Sequence, residues 1–288
     1  MSLLDLSQYC LVAATILVAL ASVAFIASQT TSRRTMVAAG AGGGSIDVPV
    51  TEGHGVGWYA VKFTQLAFVF MTLSALFRMV VVKHAPFSNQ YEFACSFAWG
   101  MLAAFVYFEA RHHARALGLA LLPMTFAMLL YAGTRSAETA PLVPALQNQL
   151  LLTTHVLFAV LGYGAAAVAS AAGILYLLKP HVKWSAIPSL DRLDELGYRA
   201  VVFAFPLLTV MNILGAIWAN IAWGLYWSWD PKETAALMTW LIYGAYIHAR
   251  VTKDWRGNRS AWLLILGFVA VIFTFFGNHW FGGLHSYG

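Results

Sequence analysis

Apolar runs long enough to cross a lipid bilayer recur along the whole sequence, and this constrains the chain more than any other feature. They fall at about residues 9–27, Trp58–Val82, Tyr91–Glu109, Ala116–Tyr131, Leu151–Leu178, Ala200–Asn220, Thr234–Ala249 and Ala261–Phe276. Most are near the roughly 20 residues a helix needs to span the hydrocarbon core. The balance between them agrees: 60% of the 288 residues are hydrophobic and only 10% charged, so lipid is the solvent. The expectation is an all-α polytopic membrane protein of about eight transmembrane helices, a single integral domain over residues 1–288.

The charges set its expected orientation. Met1 to Gln8 carries no Lys or Arg, so the first apolar run reads as a retained span, not a secretory signal. Residues 29–57 hold Arg33, Arg34 and the glycine-rich stretch Ala38–Ser45, and read as a flexible cytoplasmic loop. With the N-terminus outside, the inner loops collect Arg33, Arg34, Arg111, Arg115, Lys179, Lys183, Arg192, Arg199, Arg250, Lys253, Arg256 and Arg259. The outer side keeps only Arg78, Lys83, Arg135 and Lys232. That asymmetry puts both termini outside. It also accounts for the formal charge of +5 without any nucleic-acid partner. Cys10 and Cys95 both lie in apolar segments with no CxxC pairing, so any thiol chemistry must come from a partner.

One external segment, residues 218–240, stands apart. Trp218, Trp223, Trp227, Trp229 and Trp240 crowd into it, with Tyr226 among them. Trp at a membrane boundary is ordinary, but an anchoring belt needs one or two rings per helix end. The density points instead to a flat apolar shelf that stacks a large planar ligand. Asp230, Pro231 and Glu233 are an N-cap, a first helical residue and a capping-box acid, so a helix begins at Pro231.

The histidines divide by position. His54, His112, His113 and His181 lie in basic inner loops, where solvated imidazoles are the default. His155 opens the fifth span and His285 follows the eighth, both on the side of the Trp-rich loop. Two neutral imidazoles above and below a porphyrin iron are a familiar ligation, so the pair and the shelf form a coherent haem site. His248 lies some 25 Å down the seventh helix from Pro231 and cannot reach that iron. Trp240, Gly244 and His248 share one helical face, on which Gly244 leaves room for a flat ring. A ligand there gives two sites at two depths, a route for haem across the membrane, though a capping or snorkelling role competes. His84, in a turn with Pro86, Ser88 and Asn89, suits a structural or partner-contact role. His279 is the alternative to His285.

Residues Trp223 to Glu233 resemble the tryptophan-rich WWD signature of haem-handling proteins in cytochrome c maturation. The stretch Trp240–Arg250, the tail Gly283–Tyr287, the His155-Val156 pair and the turn His84–Glu92 resemble the CcsA type, the ResC-like subunit, also called CcsB, of the System II synthase. The likeness covers most of the chain from His84 onward.

This resemblance implies a Ccs1/ResB-type membrane partner, with which such a subunit exports haem b and attaches it to the CxxCH motif of apocytochrome c. By position it makes His155 and His285 the external ligands and His248 that of an inner site whose second ligand belongs to the partner. Trp218, Trp223, Tyr226, Trp227, Trp229 and Asp230 frame the outer site. No acid–base pair is implied, since the protein's part is orientation. The implied location is the bacterial inner membrane, or the thylakoid for a plastid homologue. A bis-histidine electron-transfer cytochrome and a haem exporter without attachment activity are the competing classes, with a System I haem-handling protein as a related alternative.

Overall fold

The structure, a computed structural model, describes residues 2–40, 55–139, 142, 146–184 and 186–285, with side chains for all of these except 30–40 and 278–280. His54, residues 41–45 of the glycine-rich stretch and Tyr287 lie outside the described residues, as does the side chain of His279. The described chain is helical, without a strand: α1 Leu3–Gly40, α2 Val56–Val82, α3 Gln90–His112, α4 Gly118–Gly133, α5 Gln149–Leu178, α6 Leu190–Trp223, α7 Pro231–Lys253 and α8 Asn258–Phe281. This is what lipid demands, because a helix satisfies its own backbone.

Seven of these helices are long and apolar enough to cross a membrane. The exception is α7, which opens on Lys232 and Glu233 and closes on Arg250 and Lys253. Its 23 residues reach roughly 34 Å at about 1.5 Å per residue. It forms a hairpin with α8 and also packs on α6, so it runs through the bundle beside two spanning helices. One boundary differs from expectation. Residues 29–40, read as the start of a loop, continue α1 in helical form, because nothing from Gln29 to Ala39 is a Pro or Gly that would end it.

The bundle is organised around α5, which packs against α3, α4, α6 and α8. Its run Gly164–Gly173 is Gly, Ala and Ser apart from Val168, which lets backbones approach closely where lipid supplies no hydrophobic drive between helices. A Cβ on Gly164 would stand 2.2 Å from the Gly100 carbonyl oxygen of α3, and one on Gly100 would stand 2.4 Å from that of Val160. Only glycine fits either position.

The helices alternate in direction, so the start of α1, the Trp-rich loop and the C-terminal tail share one end of the bundle. Ser7 of α1 donates to the Ser74 carbonyl of α2 (2.9 Å). Arg78, near the end of α2, is buried against Glu92 at the start of α3 (2.6 Å). Lys232 at the start of α7 reaches the Phe93 ring of α3 (4.9 Å). At the opposite end a second buried pair, Arg250–Asp194 (2.5 Å), joins α7 to α6. Both pairs hold helix ends in register by charges that cannot be separated cheaply.

Candidate functional site

The Trp-rich loop is anchored at its exit by a complete capping box. Asp230 Oδ1 accepts from the Lys232 backbone N–H (2.9 Å), and Glu233 Oε2 accepts from those of Ser228 (2.8 Å) and Asp230 (3.3 Å). Pro231 occupies the first helical position as expected. This clamp holds Trp229 at a positive φ of 58°, and the residue is 71% exposed.

The indoles do not lie flat beside one another. Trp227 and Trp229 meet at 87°, and Trp218 meets Trp223 at 75°. The expected flat shelf is therefore replaced by two edge-to-face pairs, the geometry that ring quadrupoles favour. Trp227 and Tyr226 line a cavity below the loop, whereas Trp229 remains outside it. Trp218 is 3% exposed and sits deeper, on the inward face of α6. Its neighbours are the two histidines. The His155 ring lies parallel to it (6°, centroids 6.4 Å), and the His285 ring meets it at 42° and 5.6 Å. Trp223 also meets His285, edge to face at 4.7 Å, so Trp218, Trp223 and His285 touch one another. Trp218 thus touches both imidazoles from the inward face of α6.

His155 and His285 line the same cavity, formed among α3, α5, α6, α7, α8 and the tail. The space among these residues, including the part that opens to the outside, is about 910 Å³. Each imidazole is fixed through Nδ1 to an acceptor. His155 Nδ1 lies 2.9 Å from the Met211 carbonyl oxygen, and His285 Nδ1 lies 2.9 Å from Asp230 Oδ1. With an acceptor at Nδ1, that nitrogen carries the proton and Nε2 carries the lone pair. This is the arrangement that orients metal-binding histidines.

The backbone is shaped to permit both contacts. A Cβ on Gly215 would come within 2.8 Å of the His155 ring. At Gly283, φ is +143° and a Cβ would lie 2.2 Å from Asp230 Oδ2, so the tail can turn His285 onto Asp230 only through glycine.

Electrostatics favour neutral imidazole at His285. Burial pushes its pKa below the ordinary 6.5 more than the Asp230 hydrogen bond raises it. Burial also works to raise the Asp230 pKa, but the hydrogen bond and charge of His285 and the Lys232 backbone N–H outweigh it and hold the carboxyl down to about 2. At neutral pH the pair is a carboxylate behind a neutral imidazole.

No cluster of three or more His, Cys, Asp or Glu side chains among the described residues suits a bare metal ion. Two imidazoles in an aromatic cavity suit a metal whose remaining ligands arrive with it, and a porphyrin iron meets that condition.

His248 stands apart from this cavity, as its place on α7 requires. Its side chain is exposed. The neighbouring face is not open as expected, because Phe205 stacks on Trp240 (5.3 Å, 19°) and its ring passes 3.4 Å from where a Gly244 Cβ would be. Among the inner histidines, His112 Nδ1 lies 3.2 Å from Arg199 Nη1 and His113 ends α3 in a left-handed conformation. His84 bonds its own neighbour, with Nδ1 2.8 Å from the Ala85 carbonyl oxygen. Sequence reasoning missed Lys232, Gln90, Tyr163 and Asn212 as cavity residues. In the sequence Lys232 reads only as an outer charge, and nothing in its spacing marks it as inward.

Residues 87–285 match the family described as Cytochrome C assembly protein. The chain belongs to that family. Its curated relatives include the cytochrome c biogenesis proteins CcsA of Guillardia theta, 38% identical over 78% of this chain and 84% of the relative, and of Gloeobacter violaceus, 33% identical over 73% and 80%. The same architecture occurs in a solved cytochrome c haem lyase, CcmF, with a TM-score of 0.68 at 16% identity, covering 96% of this chain and 47% of that one. That likeness is one of fold, and the chain spans about half the length of that solved chain. This CcsA-type family member is an integral membrane protein with a role in cytochrome c maturation.

Proposed function

We propose that the chain is the haem-handling subunit of a System II cytochrome c synthase, working with a Ccs1/ResB-type membrane partner. It takes up haem b beside His248 on the inner side. It then moves the haem outward and holds it beneath the WWD segment, residues 218–240, between His155 and His285. The observation that supports this most directly is the pair of imidazoles brought from α5 and the tail into one aromatic cavity, each with Nδ1 on an acceptor. The exposed His248 supports an inner site completed by the partner, because its side chain points away from this chain's own core.

Both termini and the Trp-rich loop lie on the outer side in this proposal, since the end of the bundle opposite them carries most of the cations. At the outer site each thiol of a CxxCH motif adds across a vinyl group of haem. A sulfur–carbon bond forms, the thiol proton goes to the other vinyl carbon, and no electrons leave the pair. The residues of this chain hold and orient, while the motif's own histidine displaces one axial ligand on release. Trp229 and Leu225, exposed at the rim, are available to contact the incoming polypeptide.

The test is co-expression of the full chain with a Ccs1/ResB-type partner and a cytochrome bearing one CxxCH. Haem covalently attached to that cytochrome is expected with wild type and lost with His155→Ala/His285→Ala, while the membrane complex still purifies. A quinol-reducible bis-histidine spectrum without any covalent product would favour an electron-transfer cytochrome instead.

A further inference from the structure

Lys232 is the second residue of α7 and lines the cavity that holds the two imidazoles. An ammonium placed against apolar walls is costly unless a counter-charge meets it. The Asp230 carboxylate acts on Lys232 only from beyond ion-pair distance. The ammonium's contact is the face of Phe93, 4.9 Å from Nζ to the ring centroid. The described ion pairs do not include it.

The acids on either side of it in sequence each have one oxygen engaged elsewhere, while Asp230 Oδ2 and Glu233 Oε1 are buried without a hydrogen bond. Asp230 Oδ1 accepts from His285 and from the Lys232 backbone, and Glu233 Oε2 accepts from Ser228 and the Asp230 backbone. On α3 a further polar group of the same cavity is unsatisfied. Gln90 precedes Phe93 by three residues on α3, hence on the same face, and its Oε1 is buried without a hydrogen bond. Turning the amide by half a rotation presents its NH₂ to the cavity instead.

A cation and an amide on one wall of an aromatic cavity describe the seat of a carboxylate. Haem carries two propionates on one edge, with its vinyl groups on the other half of the ring. Building on the haem reading above, we propose that Lys232, assisted by Gln90, receives a haem propionate. This contact sets which edge of the porphyrin faces the incoming thiols.

The experiment titrates the purified full chain with iron protoporphyrin IX and with its dimethyl ester, which keeps the ring and vinyls but removes both carboxylate charges. Binding is followed by the bis-imidazole absorption band in wild type, Lys232→Arg and Lys232→Gln. Wild type is expected to prefer the free acid on the order of ten- to a hundred-fold, the strength of one charge-assisted hydrogen bond. Lys232→Arg keeps that preference, and Lys232→Gln reduces it by about ten-fold or more.

If Lys232→Gln retains the wild-type preference, or weakens both ligands equally, the propionate seat is overturned and the haem reading stands. A wild type that gives no bis-imidazole band with either ligand removes the haem reading, and this proposal with it.

Discussion

Replacing Asp230 by Asn separates the charge behind His285 from the hydrogen bonds around it. Asp230 is 5% exposed, and its Oδ1 serves both the His285 imidazole and the α7 cap. Asparagine keeps an oxygen in the same place and remains a good N-cap, so the start of α7 should hold, with stability changed by less than about 1 kcal/mol. What disappears is the negative charge facing imidazole Nδ1–H. A charge-assisted bond exceeds a neutral one by about 1 kcal/mol, and substitutions behind a metal-bound histidine lower affinity by roughly 10–100-fold. Asp230→Asn should therefore weaken haem binding by about ten-fold.

Asp230→Ala removes acceptor and cap together. It should approach a hundred-fold loss of affinity and add about 1 kcal/mol of destabilisation from the uncapped helix. Haem titration of the detergent-solubilised protein, with thermal melting alongside, reads both quantities. If both variants bind haem within about two-fold of wild type, Asp230 does not set a ligand, since that lies below the effect expected of such a partner.

Other outcomes follow from the same structure. Asp230 is held at about 2 against an ordinary 3.8, so its contribution to stability is present above 3.8 and is lost as pH falls through about 2. His285 is depressed below 6.5, so the unfolded chain takes up its proton first. Stability from this group is full above pH 6.5 and lost on acidification, and bound haem should follow it. A haem band that fades as pH rises from neutrality would contradict this. Gly164→Val should destabilise the α3–α5 contact by about 1–3 kcal/mol or more, seen as a lower melting temperature, because overpacking forces backbones apart. Arg250→Ala should cost about 3–5 kcal/mol by stranding buried Asp194, whereas Arg250→Met with Asp194→Leu should recover most of the loss.

The spans were legible because lipid leaves a helix little alternative, and apolar runs announce it directly. The end of α1 was not. Arg33 and Arg34 suggest a solvated loop, yet helices continue through polar residues when no breaker intervenes. α7 was expected as a span, although its own polar ends dilute its apolarity and its place comes from packing on α6 and α8. The capping box at Asp230 and Glu233 was readable residue by residue, since caps are local. His155 of α5 and His285 of the tail come to one cavity only through the tertiary fold, and only their shared side of the bundle suggested it. Ring orientations were beyond the sequence. Crowded Trp residues imply a stacking surface, but edge-to-face pairing and the contact of Trp218 with both imidazoles depend on which face of α6 turns inward. Lys232 was hidden for the same reason, because an exposed cation and a cavity cation look alike in one dimension.

The central claim is that His155 and His285 hold haem from opposite sides, and the most direct measurement is the absorption spectrum and haem content of the purified full chain with its partner. Wild type, His155→Gly, His285→Gly and the double variant are compared with and without added imidazole. The account predicts a low-spin bis-imidazole haem in wild type, weakened in each single variant, most depleted in the double, and restored when imidazole fills the space the side chain leaves. Equal haem content and identical spectra in all four proteins would contradict it.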